Sequence, residues 1–387
     1  MNLLAPALAC LFLAPASAAE AGPAWSASGY LKDLWQYSAS SLDRRPYFLN
    51  VSRQRLNLDL SWSVLKARVE YEHEQLAGSF FRTGEYRLFG LAEPARFLDT
   101  ELMVSTSDTV VWRQRLHRWW AGFETEDTVL RVGRQRVAWG TGKYFNPVDV
   151  LNPQSPFSLE QDERPGTDAV YLRRSLGDLS QAELAWAPED RWSGHGLLGR
   201  LRTNWRSVDL ALLGGKTAVS SASWTLGGEA AGSVADGTLR LDWAYADPGF
   251  DRPAWKLCLG WDYAFAPDTR LPGFKELSLT LEYFHDGSGT VHAFRYDSLK
   301  VLSGRDLTLA KDYAVLAFAK DLHPLLTLET ALIVNLDDGS SFAAPSLTWD
   351  VGRNLLLSAG VQRLSGARRT EFGRRANLGW LQSQWFF

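Results

Sequence analysis

Residues 55–62 read RLNLDLSW, polar and apolar side chains alternating without a break. A period of two puts the leucines on one face and Arg55, Asn57, Asp59 and Ser61 on the other, and only an extended strand with unlike faces has that period. The pattern recurs in KARVEYE (66–72), LRLDW (239–243), LCLGWDY (257–263) and LSLTLEY (277–283), and its apolar face often finishes in Trp or Tyr. Strands that cross a membrane end this way, with aromatic rings at the headgroups. A soluble β-sandwich alternates too, but it buries leucine faces against each other and has less use for aromatic ends.

Composition points the same way. The chain has 387 residues, 17 of them Trp, with 22 % charged residues and a net charge of −3. Beyond the N-terminus there is no run of about 18 apolar residues, which argues against a helical membrane protein. The opening MNLLAPALACLFLAPASA has an apolar core from Leu3 to Leu13 and the small-residue exit Ala16-Ser17-Ala18, and reads as a signal peptide over 1–19 despite lacking a basic start. A lipid anchor on Cys10 is the weaker reading, because Ala7-Leu8-Ala9 is a poor lipobox. The remaining 20–387 is expected to be one domain. It keeps Cys258 as its only cysteine, so no intrachain disulfide and no C-x-x-C-H haem site is expected, and no cofactor.

The spacing of turns gives a strand count. Short turns are expected near 61–64, 124–128, 175–178, 204–207, 234–237, 321–324 and 352–354, at every second connection. Longer links fall between them at 42–47, 76–108, 139–167, 188–195, 216–223, 247–255, 287–309, 337–341 and 365–374. Outer-membrane barrels alternate short periplasmic turns with long external loops in this way. One expected periplasmic turn, 266–274, is longer than the rule prefers. The expected fold is an all-β, antiparallel, up-and-down transmembrane barrel of about 18 strands, or 16 if one hairpin is miscounted, with periplasmic termini. Such a width leaves an aqueous lumen. The closing LGWLQSQWFF, with Phe387 behind Trp385 and Leu381 on one face, resembles the C-terminal signature by which Gram-negative outer-membrane barrels are recognised for assembly.

A lipid-facing charge near the midplane costs about 2–4 kcal/mol, so charged strand faces are expected to look into the lumen. On the basic side these are Arg53, Arg55, Lys66, Arg68, Arg113, Arg115, Arg134, Arg136, Arg173, Arg200, Arg202 and Arg240. On the acidic side Asp59, Glu70, Glu72, Glu74, Glu183, Asp209 and Asp242 share that face. Two readings stand open: a basic stripe that selects solutes, or cross-strand ion pairs that stiffen the wall. The segment RVGRQRVAWGTGKYFNPVDVLNP (131–153) begins as a strand running to Trp139 and then leaves the ladder, since proline has no amide donor and Asn-Pro favours turns. A constriction or lid loop is expected there, built on Trp139, Gly140, Asn146, Pro147, Asp149, Asn152 and Pro153. The plainer reading makes it a turn, with Trp139 in the aromatic girdle.

Gly133-Arg134-Gln135, Trp139-Gly140, Asn146-Pro147-Val148-Asp149 and Asn152-Pro153 resemble the R-Q-x-x-x-W-G…N-P-x-D pattern of Gram-negative porin-like barrels, including relatives of the alginate-export porin group. The resemblance spans about 23 residues. It implies about 18 strands and an arginine-rich lumen passing an acidic polysaccharide, although Glu70, Glu72 and Glu74 depart from a purely cationic pore. The function expected is an outer-membrane porin or channel that lets small or anionic solutes, or an anionic polymer, diffuse through. Its other partners would be outer-membrane lipids and the barrel assembly machinery, with a homo-oligomer possible and the chain not an enzyme.

Two alternatives come from other classes. One is a sheath around a partner such as a multihaem cytochrome. The other is an outer-membrane lipase or protease using His117, His195, His285 or His292. HDGSG (285–289) is the most suggestive cluster, but it lacks a G-x-S-x-G elbow. Asp337-Asp338 and Asp247…Asp251 lack EF-hand spacing, so no metal is expected, and interleaved charge argues against nucleic acid.

Overall fold

The computed structural model describes residues 22–91, 97–153, 155–160, 164, 166–189, 194–217, 223–249, 252–270, 272–297 and 307–387. The expected signal peptide lies outside them. Ten strands come first: β1 Ala24–Ala39, β2 Pro46–Trp62, β3 Leu65–Gly78, β4 Glu101–Thr106, β5 Val110–Glu124, β6 Thr128–Gln135, β7 Thr167–Ser175, β8 Gln181–Ala187, β9 Gly196–Trp205 and β10 Val208–Lys216. Ten more follow: β11 Trp224–Val234, β12 Gly237–Asp247, β13 Ala254–Ala264, β14 Leu277–Asp286, β15 Asp312–His323, β16 Leu326–Asn335, β17 Ser341–Ala343, β18 Ser346–Gly352, β19 Leu355–Ser365 and β20 Leu378–Phe386.

Neighbours in the wall pair antiparallel, and β20 pairs back onto β1 with Phe386 opposite Tyr30 and Gly379 opposite Tyr37. The barrel is therefore closed. Segments β17 and β18 both lie between β16 and β19 and make one wall strand broken near Pro345. Strand β4 belongs to a loop and pairs only the start of β5, the end away from the chain termini. Twenty segments thus form 18 wall strands, the number expected, and an even number returns both termini to one end.

Local chemistry sets the turns. Arg206-Ser207, Ala235-Asp236 and Arg353-Asn354 each hold positive φ at both positions (49° and 64°, 52° and 59°, 53° and 66°), as a two-residue type I′ hairpin requires. These tight turns lie at the end that carries the chain termini. The longer link expected on that side, between β13 and β14, is present.

The pleat sorts the side chains as the alternation predicts. Leu58 and Leu259 are each 43 % exposed on the outer surface, while Arg55, Asp242 and Glu282 are buried on the inner one. Closing the seam, Gly29 and Phe387 exchange both backbone hydrogen bonds, and Trp385 and Phe387 rings sit 5.6 Å apart on the outer face.

One strand is shorter than its sequence suggests. The alternation predicts a strand through Trp139, but β6 stops at Gln135. Val137 and Trp139 turn inward instead and pack with Val148, Ala185, Leu198 and Leu213. The wall stays sealed because chain from the preceding loop fills the vacated place: Leu116 donates to the Thr100 carbonyl, and β4 continues along β5 from there.

Candidate functional site

The described residues between 136 and 160 cross the lumen, and their own asparagines start the crossing. Asn146 Nδ2 donates to the Trp139 carbonyl (2.7 Å) and Asn152 Nδ2 to the Val137 carbonyl (2.6 Å), so amide side chains occupy the acceptors that a continuing strand would have used. Gly140 sits at φ +96°, and a Cβ there would lie 2.2 Å from Asn146 Oδ1, so only glycine fits the fold-back. Trp139 is buried inside and donates Nε1–H to Glu183 (2.8 Å), which removes it from the aromatic girdle.

The far wall then holds the loop through two carboxylates. Asp242 accepts the Thr141 and Gly142 amides (2.7 and 2.6 Å) and the Thr141 hydroxyl (2.7 Å). Glu282 accepts three successive amides, of Lys143, Tyr144 and Phe145 (3.1, 3.3 and 2.7 Å). Beyond these, Phe145 stacks on Phe284 at 4.5 Å, and Phe157 meets Phe342 and Phe372 at 5.4 and 5.2 Å. Glu160 finally reaches Lys32 (3.0 Å) and Arg53 (2.7 Å) on the first two strands. The loop therefore touches the barrel nearly all the way round.

Most of the expected basic stripe is neutralised. Arg53 contacts Glu72 (3.2 Å), Glu74 (2.7 Å) and Glu160, Arg55 and Arg115 both bind Glu72, and Arg113 contacts Glu74 (2.5 Å) and Glu101 (3.4 Å). Arg200 bridges Glu183 (2.7 Å) and Glu229 (2.6 Å), and Arg240 binds Asp262 (2.7 Å). Nearer the end that carries the chain termini, Arg68 meets Asp59 (2.5 Å) and Glu70 (3.9 Å), Lys66 bonds Ser61, and Arg202 reaches Asp209 (3.3 Å). Arg173 is exposed opposite Glu183 in register.

Arg134 is not a free lumenal cation. It is fully buried at the end of β6, held by Asp168 (2.9 Å), Thr100 Oγ1 (2.7 Å) and the carbonyls of Leu116 and Leu98. Five donors in one plane let a single guanidinium close the junction between β6, β7 and the inserted chain. Arg136, expected beside it on the strand, lies past the strand end and is exposed.

Three arginines, Arg136 among them, gather at one place. Arg118 of β5 and Arg164 on the loop's return stand close enough to it for their charges, after burial itself, to lower the Arg136 pKa. Arg118 also donates to the Arg164 carbonyl (2.6 Å). Among the described residues the acids paired with this group are Glu70, 3.7 Å from Arg118, and Asp149, 3.8 Å from Arg164. Burial pushes the Asp149 carboxyl up to about 7, against the lowering influence of the Asn152 amide and both arginines. Arg118, Arg164 and Glu160 escaped the sequence reading, since two lie in a loop and Arg118 follows a register shift opposite Glu70 and Tyr71 that breaks the alternation.

The HDGSG cluster is split between partners. His285 bonds Asp312 (2.7 Å), whereas Ser288 bonds Asp286 (2.5 Å). Among the described residues no cluster of His, Cys, Asp and Glu has the arrangement of a metal site.

These features define a class: a closed 18-stranded barrel with a lumen crossed by an inward-folded loop. Solved structures share the barrel fold. The chain superposes on Pseudomonas aeruginosa OccK5 (OpdH) with a TM-score of 0.58 at 11 % identity, covering 94 % of this chain and 98 % of that one. Acinetobacter baumannii OccAB3 matches with a TM-score of 0.57 at 10 % identity over 94 % and 99 %. The outer membrane protein opdK from P. aeruginosa matches with a TM-score of 0.57 at 9 % identity over 94 % and 98 %. No protein-family model and no curated protein sequence matches the chain.

Proposed function

We propose that the protein is an outer-membrane porin that passes small anionic solutes by diffusion, selecting them at the Arg118, Arg136 and Arg164 cluster. The observation that carries this reading is the loop itself. It enters the lumen, and beside it three arginines meet two acids among the described residues. Low-dielectric walls focus the field of such a group onto the passing solute. The leader, the outward leucines and the terminal Phe387 support the outer membrane as location, and the fold shared with an outer membrane protein agrees. A loop anchored on so many strands favours small solutes over a polysaccharide.

Reversal potentials in planar bilayers under asymmetric salt test it. Wild type should prefer anions at 0.01 M salt, where the Debye length is about 30 Å, and lose the preference towards 1 M, where it is about 3 Å. Arg136→Gln with Arg164→Gln should shift selectivity towards cations at low salt. Unchanged selectivity in that pair would remove the cluster from the pathway, and absence of any conductance would remove the pore.

A further inference from the structure

The external connection between β19 and β20, residues 366–377, carries Arg368, Arg369, Arg374 and Arg375 against one acid, Glu371. Arg363 precedes it near the end of β19. The pleat fixes where Arg363 points. Gln362 donates inward to the Phe157 carbonyl of the lumen loop (3.3 Å) and Leu364 packs against the inner aromatic cluster, so Arg363 between them faces outward. It stands one pleat beyond Val361, whose row runs through Gly379 to Tyr37 on β1. Tyr37 and Trp35 are 64 % and 48 % exposed on that outer face, as rings at a headgroup boundary are. Arg363 therefore lies just external to the aromatic belt.

The loop is folded so that its foremost arginines stay at the surface. Glu371 turns inward, where Tyr313 Oη (2.7 Å) and Asn335 Nδ2 (2.8 Å) donate to its carboxylate, and Phe372 is buried beside Phe342. Arg374 closes the tip by donating to the Thr370 (3.1 Å) and Arg369 (2.7 Å) carbonyls. Arg368 and Arg369 are left exposed. Ser38 Oγ ties the loop to the β1–β2 link through the Asn377 carbonyl (2.8 Å), and on that link Arg44 is exposed as well. Among the described residues no carboxylate pairs with Arg44, Arg363, Arg368 or Arg369, and the acid of the neighbouring link, Asp43, pairs with Arg45 (3.7 Å).

We propose that Arg363, Arg368 and Arg369 form a binding site for the phosphate groups of a phosphorylated glycolipid, lipopolysaccharide, held in the outer leaflet beside β19 and β20. A guanidinium fork matches two phosphate oxygens at once, and three forks without a carboxylate suit a headgroup that carries more than one phosphate. The outward aim of Arg363 favours a lipid over a passing solute, since a cation that serves the pore faces the lumen, as Arg53 and Arg240 do. The rings of Trp35 and Tyr37 suit the junction between sugar headgroup and acyl chains. Each such cation near an anionic lipid surface should contribute about fivefold, so removing three should weaken binding about a hundredfold.

This rests on the barrel's spanning the outer membrane with this end outward, and the experiment separates the two. Arg368→Cys on intact cells should react with a membrane-impermeant thiol reagent, Cys258 being buried. Absence of labelling would overturn the orientation and the proposal together. Purified full-length protein in detergent is then titrated with labelled lipopolysaccharide, and the same lipid stripped of phosphate and inorganic phosphate serve as competitors. Wild type should hold the intact lipid at low salt, release it as salt approaches 1 M, and lose it to neither competitor at equal concentration. Arg363→Gln with Arg368→Gln and Arg369→Gln should bind about a hundredfold more weakly, with the single-channel conductance unchanged to show an assembled barrel. Should that variant not assemble, Arg363→Gln alone carries the test with a loss of about fivefold. Undiminished binding in the variant, or equal competition by the dephosphorylated lipid, would overturn the site while leaving the pore standing. Equal competition by inorganic phosphate would also overturn it, by assigning the arginines to free anions.

Discussion

Two stretches of the lumen wall obey the same alternation and use it for opposite ends. On β2, β3 and β5, inward carboxylates Glu72 and Glu74 face inward arginines on adjacent strands, and four guanidiniums close on them. On β12 and β14, inward carboxylates Asp242 and Glu282 turn largely to backbone amides of a loop that left the wall at β6. A carboxylate on a lumen face can bind its neighbours, capture a loop or, as Glu183 does, both; Asp242 and Glu282, with no arginine directly across either strand pair, take the loop. The first arrangement stiffens the wall, and the second shapes the passage.

The largest effect should come from breaking the first region. Glu72→Gln leaves Arg55 and Arg115 buried without their main counter-charge and should cost about 3–5 kcal/mol, read as a lowered urea midpoint for the folded barrel in detergent. A loss below about 1 kcal/mol would mean that these charges are hydrated as on an open surface. In the second region, Glu282→Ala strips a charged acceptor from three amides, a loss of about 2–3 kcal/mol in loop attachment. Single-channel conductance should rise and become noisier while the barrel still assembles, and a trace identical to wild type would show that the loop is held elsewhere.

A smaller effect should follow pH. Because burial raises the folded Asp149 carboxyl from 3.8 to about 7, the inward loop binds this proton more tightly than a solvated loop would. That contribution to loop docking is complete below pH 4 and is lost as pH rises towards 7. Between pH 8 and pH 6 Asp149 becomes neutral, the arginine cluster loses a counter-charge, and anion preference should increase. Asp149→Asn should hold the low-pH selectivity at both values, whereas a persisting pH response in that variant would assign the titration to another group. The smallest effect belongs to Arg202→Gln. Its pair with Asp209 is exposed, so stability should change by less than about 1 kcal/mol and selectivity not at all.

Much of this was legible in one dimension. The leucine periods of β2, β12, β13 and β14 were read correctly because a pleated strand translates alternation directly into inside and outside. The Asn-Pro steps announced the departure from β6, since proline cannot join a ladder whatever surrounds it. Arg134 shows where such reading stops. Its fate depends on Leu98 and Thr100, chain some 35 residues earlier that slides into the gap above β6, and no local pattern encodes that meeting. Arg118 was hidden for a related reason, because a register shift between β3 and β5 reverses the parity of the residues after it.

By itself, then, the sequence determined the strand periods, the turn chemistry and hence the closed barrel, because these depend on neighbours one to four residues apart. Tertiary structure alone decided which inward arginines are neutralised, which carboxylates seize the loop, and which arginines gather around Arg136. Those outcomes turn on distances of about 3 Å between strands far apart in the chain, and Coulomb and hydrogen-bond energies are set by that separation rather than by residue type.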